Sequence, residues 1–311
     1  MKIAFLFSGQ GAQYQGMGQE LYQEAIVKKT FDEASTVLGY DVADLCFSEN
    51  ERLDQTKYTQ PAILTVSIAF YRLLKERGIV PYAALGLSLG EYSALVASEA
   101  LTFAEAVALV AKRGAYMTEA APSGSGKMVA IMNAPIEVIE ESCLKAQCFG
   151  IVSPANYNTP QQIVIGGEKK AVDEAVSILK EKEIKRMMPL NVSGPFHTAL
   201  LAPAAKKLAQ ELKTIMFNEP NIPVISNTTT EIMKKERIPI LLEQQVMKPV
   251  HFYESVQKLK ELGIEQVVEV GPGKVLSGFM KKIDPTIPVL RVENEKTFEK
   301  TIKSIGGMTW S

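Results

Sequence analysis

Histidine, tryptophan and cysteine are scarce in this 311-residue chain, which holds two, one and three of them. If the chemistry needs an imidazole base, that base is His197 or His251. Three cysteines do not make a paired disulfide framework, and Cys143 and Cys148 have no histidine near them at a metal-ligand spacing. They read as packed thiols of a reducing compartment, with no metal site. Long apolar runs are also missing, so nothing approaches bilayer length. The opening run Met1–Phe7 is short for a signal peptide and passes straight into a glycine loop. The expectation is a cytoplasmic chain without membrane contact. Neither sign of charge dominates: 34 Lys and Arg face 35 Asp and Glu, a net −1 that removes any global case for nucleic-acid binding. With 46% hydrophobic and 22% charged residues, the chain reads as globular, and its length fits one large domain or two modest ones.

What is present is an alternation of strand, loop and helix. Residues 3–7 read as a buried strand, followed by the loop Ser8-Gly9-Gln10-Gly11-Ala12-Gln13 and a helix that includes Met17 and Leu21. Apolar spacing predicts helices over about 61–77 and 103–121, with a short apolar run at 82–85 and a helix over 91–97 between them. From Gly124 the pattern changes. Strands at 128–132, 150–156, 162–165 and 187–192 and helices at 135–146 and 169–182 follow the order β-α-β-β-α-β, a ferredoxin-like pattern. Ser123–Gly126 and Ser193–Pro195 bracket it as hinges. Beyond them come a helix from Thr198 to about Ile215, a strand at 223–226, a helix over 252–262 and a strand at 266–270. A turn at Gly271–Gly273 then leads into another helix. The expected architecture is α/β: a large α/β-hydrolase-like body with a parallel sheet, residues 1–123 and 195–311, carrying an inserted small subdomain, residues 124–194.

The stretch Gly86-Leu87-Ser88-Leu89-Gly90 reads G-x-S-x-G at a strand-to-helix change, where a tight turn thrusts the serine hydroxyl outward and the helix start supplies free N–H groups. Ser88 is therefore the candidate nucleophile. A hydroxyl needs a base; spacing does not choose between His197, at the second hinge, and His251. Backbone N–H groups of Leu89 and of the Gly9–Gly11 loop are candidate oxyanion donors. Gly9-x-Gly11 lacks the third glycine of a dinucleotide fingerprint and no G-K-[ST] follows, so a nucleotide site is not supported. On the 103–121 helix, Arg113 falls in phase with Ala106, Val110 and Met117. It reads either as a snorkelling or structurally paired side chain or as a receptor for a carboxylate.

Six blocks in order, FLFSGQGAQ (5–13), GLSLGEYSALV (86–96), KRGAYM (112–117), PANYNTPQQIVIGG (154–167), VSGPFHTALL (192–201) and EVGPGKVLSGFMKK (269–282), resemble the malonyl-CoA:acyl carrier protein transacylase family over nearly the whole chain. The resemblance implies an acyltransferase that carries malonyl from malonyl-CoA to the phosphopantetheine thiol of acyl carrier protein, in fatty-acid synthesis. It implies Ser88 as nucleophile and His197 as base, held by the backbone carbonyl of Gln245. The amides of Gln10 and Leu89 would form the oxyanion hole. Arg113 would take the malonyl carboxylate, Asn156 would help order the site, and Met117 and Phe196 would line the acyl pocket. It implies no cofactor or metal, a monomer, and a basic docking face drawn from Lys185-Arg186, Lys206-Lys207 or Lys281-Lys282. Leu87 departs from the histidine such proteins often carry before the nucleophile. Against this stand an esterase or thioesterase, which would hydrolyse steadily, and a non-catalytic binding protein, which would form no adduct.

Overall fold

The computed structural model describes residues 1–122, 124–190, 192 and 194–306. The N-terminal part runs β1 (Ile3–Phe7), α1 (Ala25–Leu38), α2 (Val42–Phe47), α3 (Thr56–Glu76), β2 (Ala83–Gly86), α4 (Gly90–Ala97) and α5 (Phe103–Ala120). Next come β3 (Gly126–Met132), α6 (Ile136–Ala146), β4 (Val152–Thr159), β5 (Gln162–Glu168), α7 (Lys169–Glu181) and β6 (Met187–Pro189). The C-terminal part is α8 (Ala202–Leu212), α9 (Ile238–Met247), β7 (Val250–His251), α10 (Phe252–Glu261), β8 (Gln266–Val270), α11 (Val275–Ile283), β9 (Val289–Val292) and α12 (Glu295–Gly306).

One sheet has the order β2-β1-β8-β9, with every pairing parallel. All five residues of β1 and of β8 are buried, the continuous burial expected of parallel strands covered on both faces. One large apolar cluster joins β1 to α1, α3, α4 and α5, and a second lies against α10 and α11. The other sheet has the order β6-β3-β5-β4-β7. Its first four strands pair antiparallel, in the β-α-β-β-α-β order expected from sequence, over a third cluster with α6 and α7. β7, from the C-terminal part, adds in parallel to β4 through Asn156↔Val250 and Tyr157↔His251.

Several expectations need correction. Met17 and Leu21 are buried but lie in turns, because Gly16 and Gly18 adopt φ of 91° and 90°, which no α-helix allows. α3 begins at Thr56, with Pro61 inside it. Residues 223–226 form only isolated bridges, Ala84↔Val224 and Ile225↔Ile232. The segment from Thr198 starts as a 3-10 turn and is α-helical only over Ala202–Leu212. β6 ends at Pro189, three residues before Val192. Ser123 and Ser193 of the two hinges, and the tail from 307, lie outside the described residues.

The turn after β2 is the tightest constraint on this architecture. A Cβ on Gly86 would lie 1.8 Å from the Gly90 carbonyl carbon, and one on Gly90 would lie 2.1 Å from the Phe7 oxygen. Both obstacles are backbone, so neither position tolerates a side chain. Gly86→Ala is expected to lower unfolding free energy by at least ~2 kcal/mol in a denaturant titration; an unchanged midpoint would show that the turn relaxes freely.

Candidate active site

Ser88 sits in that turn with φ of 52°, a left-handed conformation costly for a residue with a Cβ. Asn227 holds it there. Its Oδ1 accepts the Ser88 N–H at 2.7 Å, and its Nδ2 donates to the Gly86 carbonyl at 2.7 Å. The turn also leans on the loop after β1: the Leu87 N–H donates to the Phe7 carbonyl at 3.1 Å, and a Cβ on Gly9 would meet the Leu87 oxygen at 2.4 Å. This contact brings the Gln10 and Leu89 backbones into one neighbourhood. Among the described residues, neither of their N–H groups has a protein acceptor. Leu87, at the position of the family's frequent histidine, packs against the second apolar cluster.

Arg113 is 1% exposed, yet forms no ion pair among the described residues. Its Nη1 donates to Gln60 Oε1 at 2.8 Å, and its Nη2 to Gln245 Oε1 at 3.0 Å and to Ser88 Oγ at 3.2 Å. The guanidinium carbon lies 5.4 Å from the centre of the Tyr92 ring, and Nε has no partner. Three of five N–H groups are therefore engaged, all with neutral oxygens, and two are spare. Burial pulls the Arg113 pKa down, and Tyr92 and Glu91 counter it. A buried cation with unused donors and no carboxylate bonded to it has the chemistry to accept an anion.

His197 is buried, with φ of 60°. Its Nδ1 lies 2.7 Å from the Gln245 carbonyl; a carbonyl only accepts, so Nδ1 carries the proton and Nε2 keeps its lone pair. Burial first, and the charge of Arg113 second, push its pKa down to about 4, against the pull of the Gln245 and Lys248 carbonyls. Ser88 Oγ and His197 are not hydrogen-bonded to each other in this resting arrangement. The ring of His251 stacks on Tyr157 at 4.8 Å and faces Glu254 instead. Sequence spacing left the two histidines equal; burial and neighbours separate them.

The other sequence candidates divide. Met117, one turn beyond Arg113, is buried, and its sulfur accepts from Gln60 at 3.5 Å. Phe196 is buried in the large cluster beside His197. The Gln10 side chain bonds Thr56 at 3.1 Å and accepts from Gln60 at 3.2 Å. Asn156 is half-buried on β4 opposite Val250, with no side-chain hydrogen bond to Ser88, His197 or Arg113. Gln60, Glu91, Asn227 and the side chain of Gln245 were missed. Gln60 had a signal, a polar residue four before Leu64 on an apolar stripe. So did Glu91, a charge beside seven apolar or small residues. Asn227 had none, because its role depends on contacts 139 and 141 residues away. Among the described residues, no cluster of three or more His, Cys, Asp or Glu side chains is placed to hold a metal, and no helix is long and apolar enough to cross a membrane.

Comparison with known proteins identifies the chain's family. Residues 4–286 match the acyl transferase domain family. The chain is 44% identical over 308 residues to the malonyl CoA-acyl carrier protein transacylase of Bacillus subtilis, covering 98% of this chain and 97% of that protein. The Escherichia coli K12 protein of that name is 44% identical over 290 residues, covering 92% and 94%. Among solved structures, MCAT from Streptococcus pneumoniae matches with a TM-score of 0.96 and 58% identity, over 97% of this chain and 100% of that one. A type II PKS malonyl-transacylase in complex with its acyl-carrier protein matches with a TM-score of 0.95 and 40% identity, over 98% and 100%. The chain belongs to the malonyl CoA-acyl carrier protein transacylase family of acyltransferases.

Proposed function

We propose that the chain transfers malonyl from malonyl-CoA to the phosphopantetheine thiol of acyl carrier protein through a malonyl-serine, as a cytoplasmic monomer serving fatty-acid synthesis. The observation that carries this reading is the buried Arg113 guanidinium, unpaired with any carboxylate, donating to the hydroxyl of Ser88. A nucleophile beside a carboxylate receptor selects an acyl group with a free carboxylate at its far end. The ferredoxin-like reading of the insert and the boundaries 1–123, 124–194 and 195–311 belong to the same proposal; the strand order β6-β3-β5-β4 supports them, and the parallel β2-β1-β8-β9 sheet supports the hydrolase-like body.

In the first half-reaction Ser88 Oγ turns to the Nε2 lone pair of His197, and the malonyl carboxylate takes the Nη2 donor that Ser88 releases together with a spare donor of Arg113 beside it. Oγ attacks the thioester carbon while His197 takes its proton, and the tetrahedral oxyanion receives the Gln10 and Leu89 N–H groups, worth about 3 kcal/mol each in comparable sites. The carbon–sulfur bond breaks, and coenzyme A leaves as a thiol with the proton from His197. The carrier thiol then attacks the malonyl ester, gives its proton to His197, and Ser88 departs as the hydroxyl with that proton returned. Substrate also tunes the base. The charge of Arg113 is one of the two causes that depress the His197 pKa; a bound carboxylate neutralises it, so His197 becomes a stronger base when malonyl is present. Met117 and Phe196 line the acyl pocket in this reading, and Asn156 orders its edge. No cofactor takes part in any of these steps.

Mixing the protein with malonyl-CoA should add one malonyl group by intact mass, transferable to carrier protein, and Ser88→Ala should abolish the adduct; label on a cysteine would contradict the reading. His197→Ala should cost at least ~10³-fold in kcat/KM and His251→Ala little, with the reverse ranking decisive against His197. Arg113→Ala should cost malonyl transfer far more than acetyl transfer; equal losses would make Arg113 structural. His197 must be neutral to act. Its pKa in the free protein lies near 4, so the acid limb of kcat/KM should fall through about pH 4; a limb centred near 6.5 would contradict the buried environment.

A further inference from the structure

The steps above give no task to Glu91, a carboxyl that is 0% exposed in the first turn of α4, three residues after Ser88. One of its oxygens accepts the Asn227 main-chain N–H at 2.8 Å, and the other accepts from the Gln245 side-chain amide. These two residues hold the reacting groups. Asn227 fixes Ser88 N–H and the Gly86 carbonyl. Gln245 presents its main-chain carbonyl to His197 and its side-chain oxygen to Arg113. Burying a carboxyl is unfavourable, and an apolar side chain would be cheaper if packing were all that was required.

The amide of Gln245 shows what the carboxyl does. Both N–H groups of Nε2 are used, one on the Ser88 carbonyl at 2.9 Å and one on Glu91, and this leaves Oε1 facing the guanidinium. The flipped form would point N–H groups at the Arg113 cation, so Arg113, the Ser88 carbonyl and the acceptor at position 91 together hold the amide in one orientation. The acceptor at position 91 completes that set of partners, and ties α4, which follows Ser88, to α9, which carries the carbonyl facing His197.

We propose that Glu91 is a positioning residue for acyl transfer, holding Ser88 and His197 in register through Asn227 and Gln245. The proposal rests on the reading of Ser88 and His197 as nucleophile and base. Burial raises the Glu91 pKa to about 8, and the donors on Asn227 and Gln245 and the charge of Arg113 oppose that rise. Two donors meet two acceptor oxygens, an arrangement that is complete in the carboxylate, while the raised pKa keeps the protonated carboxyl populated at neutral pH.

Glu91→Gln puts an amide where two donors already point. The expected result is a folded protein by circular dichroism that binds malonyl-CoA within about threefold of the parent, tested with Ser88→Ala also present to prevent turnover. Single-turnover malonyl loading should fall about 100-fold, the scale of a small misplacement of reacting groups. Glu91→Asp keeps the carboxyl one methylene short, and should lose about tenfold. Only two histidines exist, so ¹⁵N-histidine NMR reads His197 directly. The parent should show a single Nδ1–H tautomer, and Glu91→Gln a mixture of tautomers. Loading within threefold of the parent in Glu91→Gln overturns the proposal. So do parallel losses of binding and loading with an unchanged tautomer, which would mark a purely structural carboxyl. If Glu91→Gln does not fold, unchanged loading in Glu91→Asp overturns it. A parent that forms no malonyl-serine sinks the reading of the site instead, and the tautomer comparison still reports whether position 91 controls His197.

Discussion

A guanidinium sealed inside the protein, bonded only to neutral oxygens, sets the terms for everything around it. Arg113 touches Ser88, Gln60 and Gln245, and each of these is held in turn by residues from other parts of the chain. Desolvating a cation without a bonded carboxylate is unfavourable. The surrounding amides lessen that cost without cancelling the charge, which leaves the site attractive to an anion of the right length. The proposed selectivity for malonyl follows from this imbalance: a carboxylate-bearing acyl group completes the ion pair, and an uncharged one does not.

Ser88 and His197 are held in unusual backbone conformations by contacts from distant parts of the chain. Ser88 and His197 both adopt left-handed backbone conformations, with φ of 52° and 60°. Such conformations persist only when the neighbours over-determine them. At Ser88 the neighbours are the two close glycine approaches and the double hydrogen bond from Asn227. At His197 they are the Gln245 carbonyl and the apolar packing of Phe196. A carbonyl in place of the aspartate of a hydrolase triad orients the imidazole and fixes its tautomer, but adds no negative charge. Burial and Arg113 both act against protonation and keep the imidazole neutral.

The sequence made the strand-turn-helix at 83–97 legible because its determinants are local: small residues at fixed offsets between an apolar strand and an apolar helix. The β-α-β-β-α-β order of residues 126–189 was legible for the same reason, since each element carries its own period. The turns around Met17 and Leu21 were not, because buried apolar spacing imitates a helix unless the positive φ of Gly16 and Gly18 is foreseen. The early start of α3 was hidden by Pro61, and that extra turn carries Gln60. Arg113 was recognised as out of place on an apolar face, but its phase does not distinguish a structural pair from a receptor; the absence of a bonded carboxylate among the described residues, which favours the proposed receptor, is visible only in the fold. The Asn227–Glu91–Gln245 network links residues more than a hundred positions apart, and no periodicity encodes it.

The parallel sheet gathers these distant segments at the ends of β1 and β2, while β7 joins the second sheet only three residues after the end of α9. His197, the Gln245 carbonyl it meets and the edge of the second sheet are thereby tied together, and the Gln245 amide links them to Ser88. The most direct test is a crystal structure of the malonyl-loaded protein without carrier. The account predicts an ester at Ser88 Oγ with the distal carboxylate bidentate on Arg113, and the Arg113–Ser88 hydrogen bond broken. An acyl group on another residue, or a carboxylate turned to solvent with Arg113 still bonded as it is at rest, would contradict it.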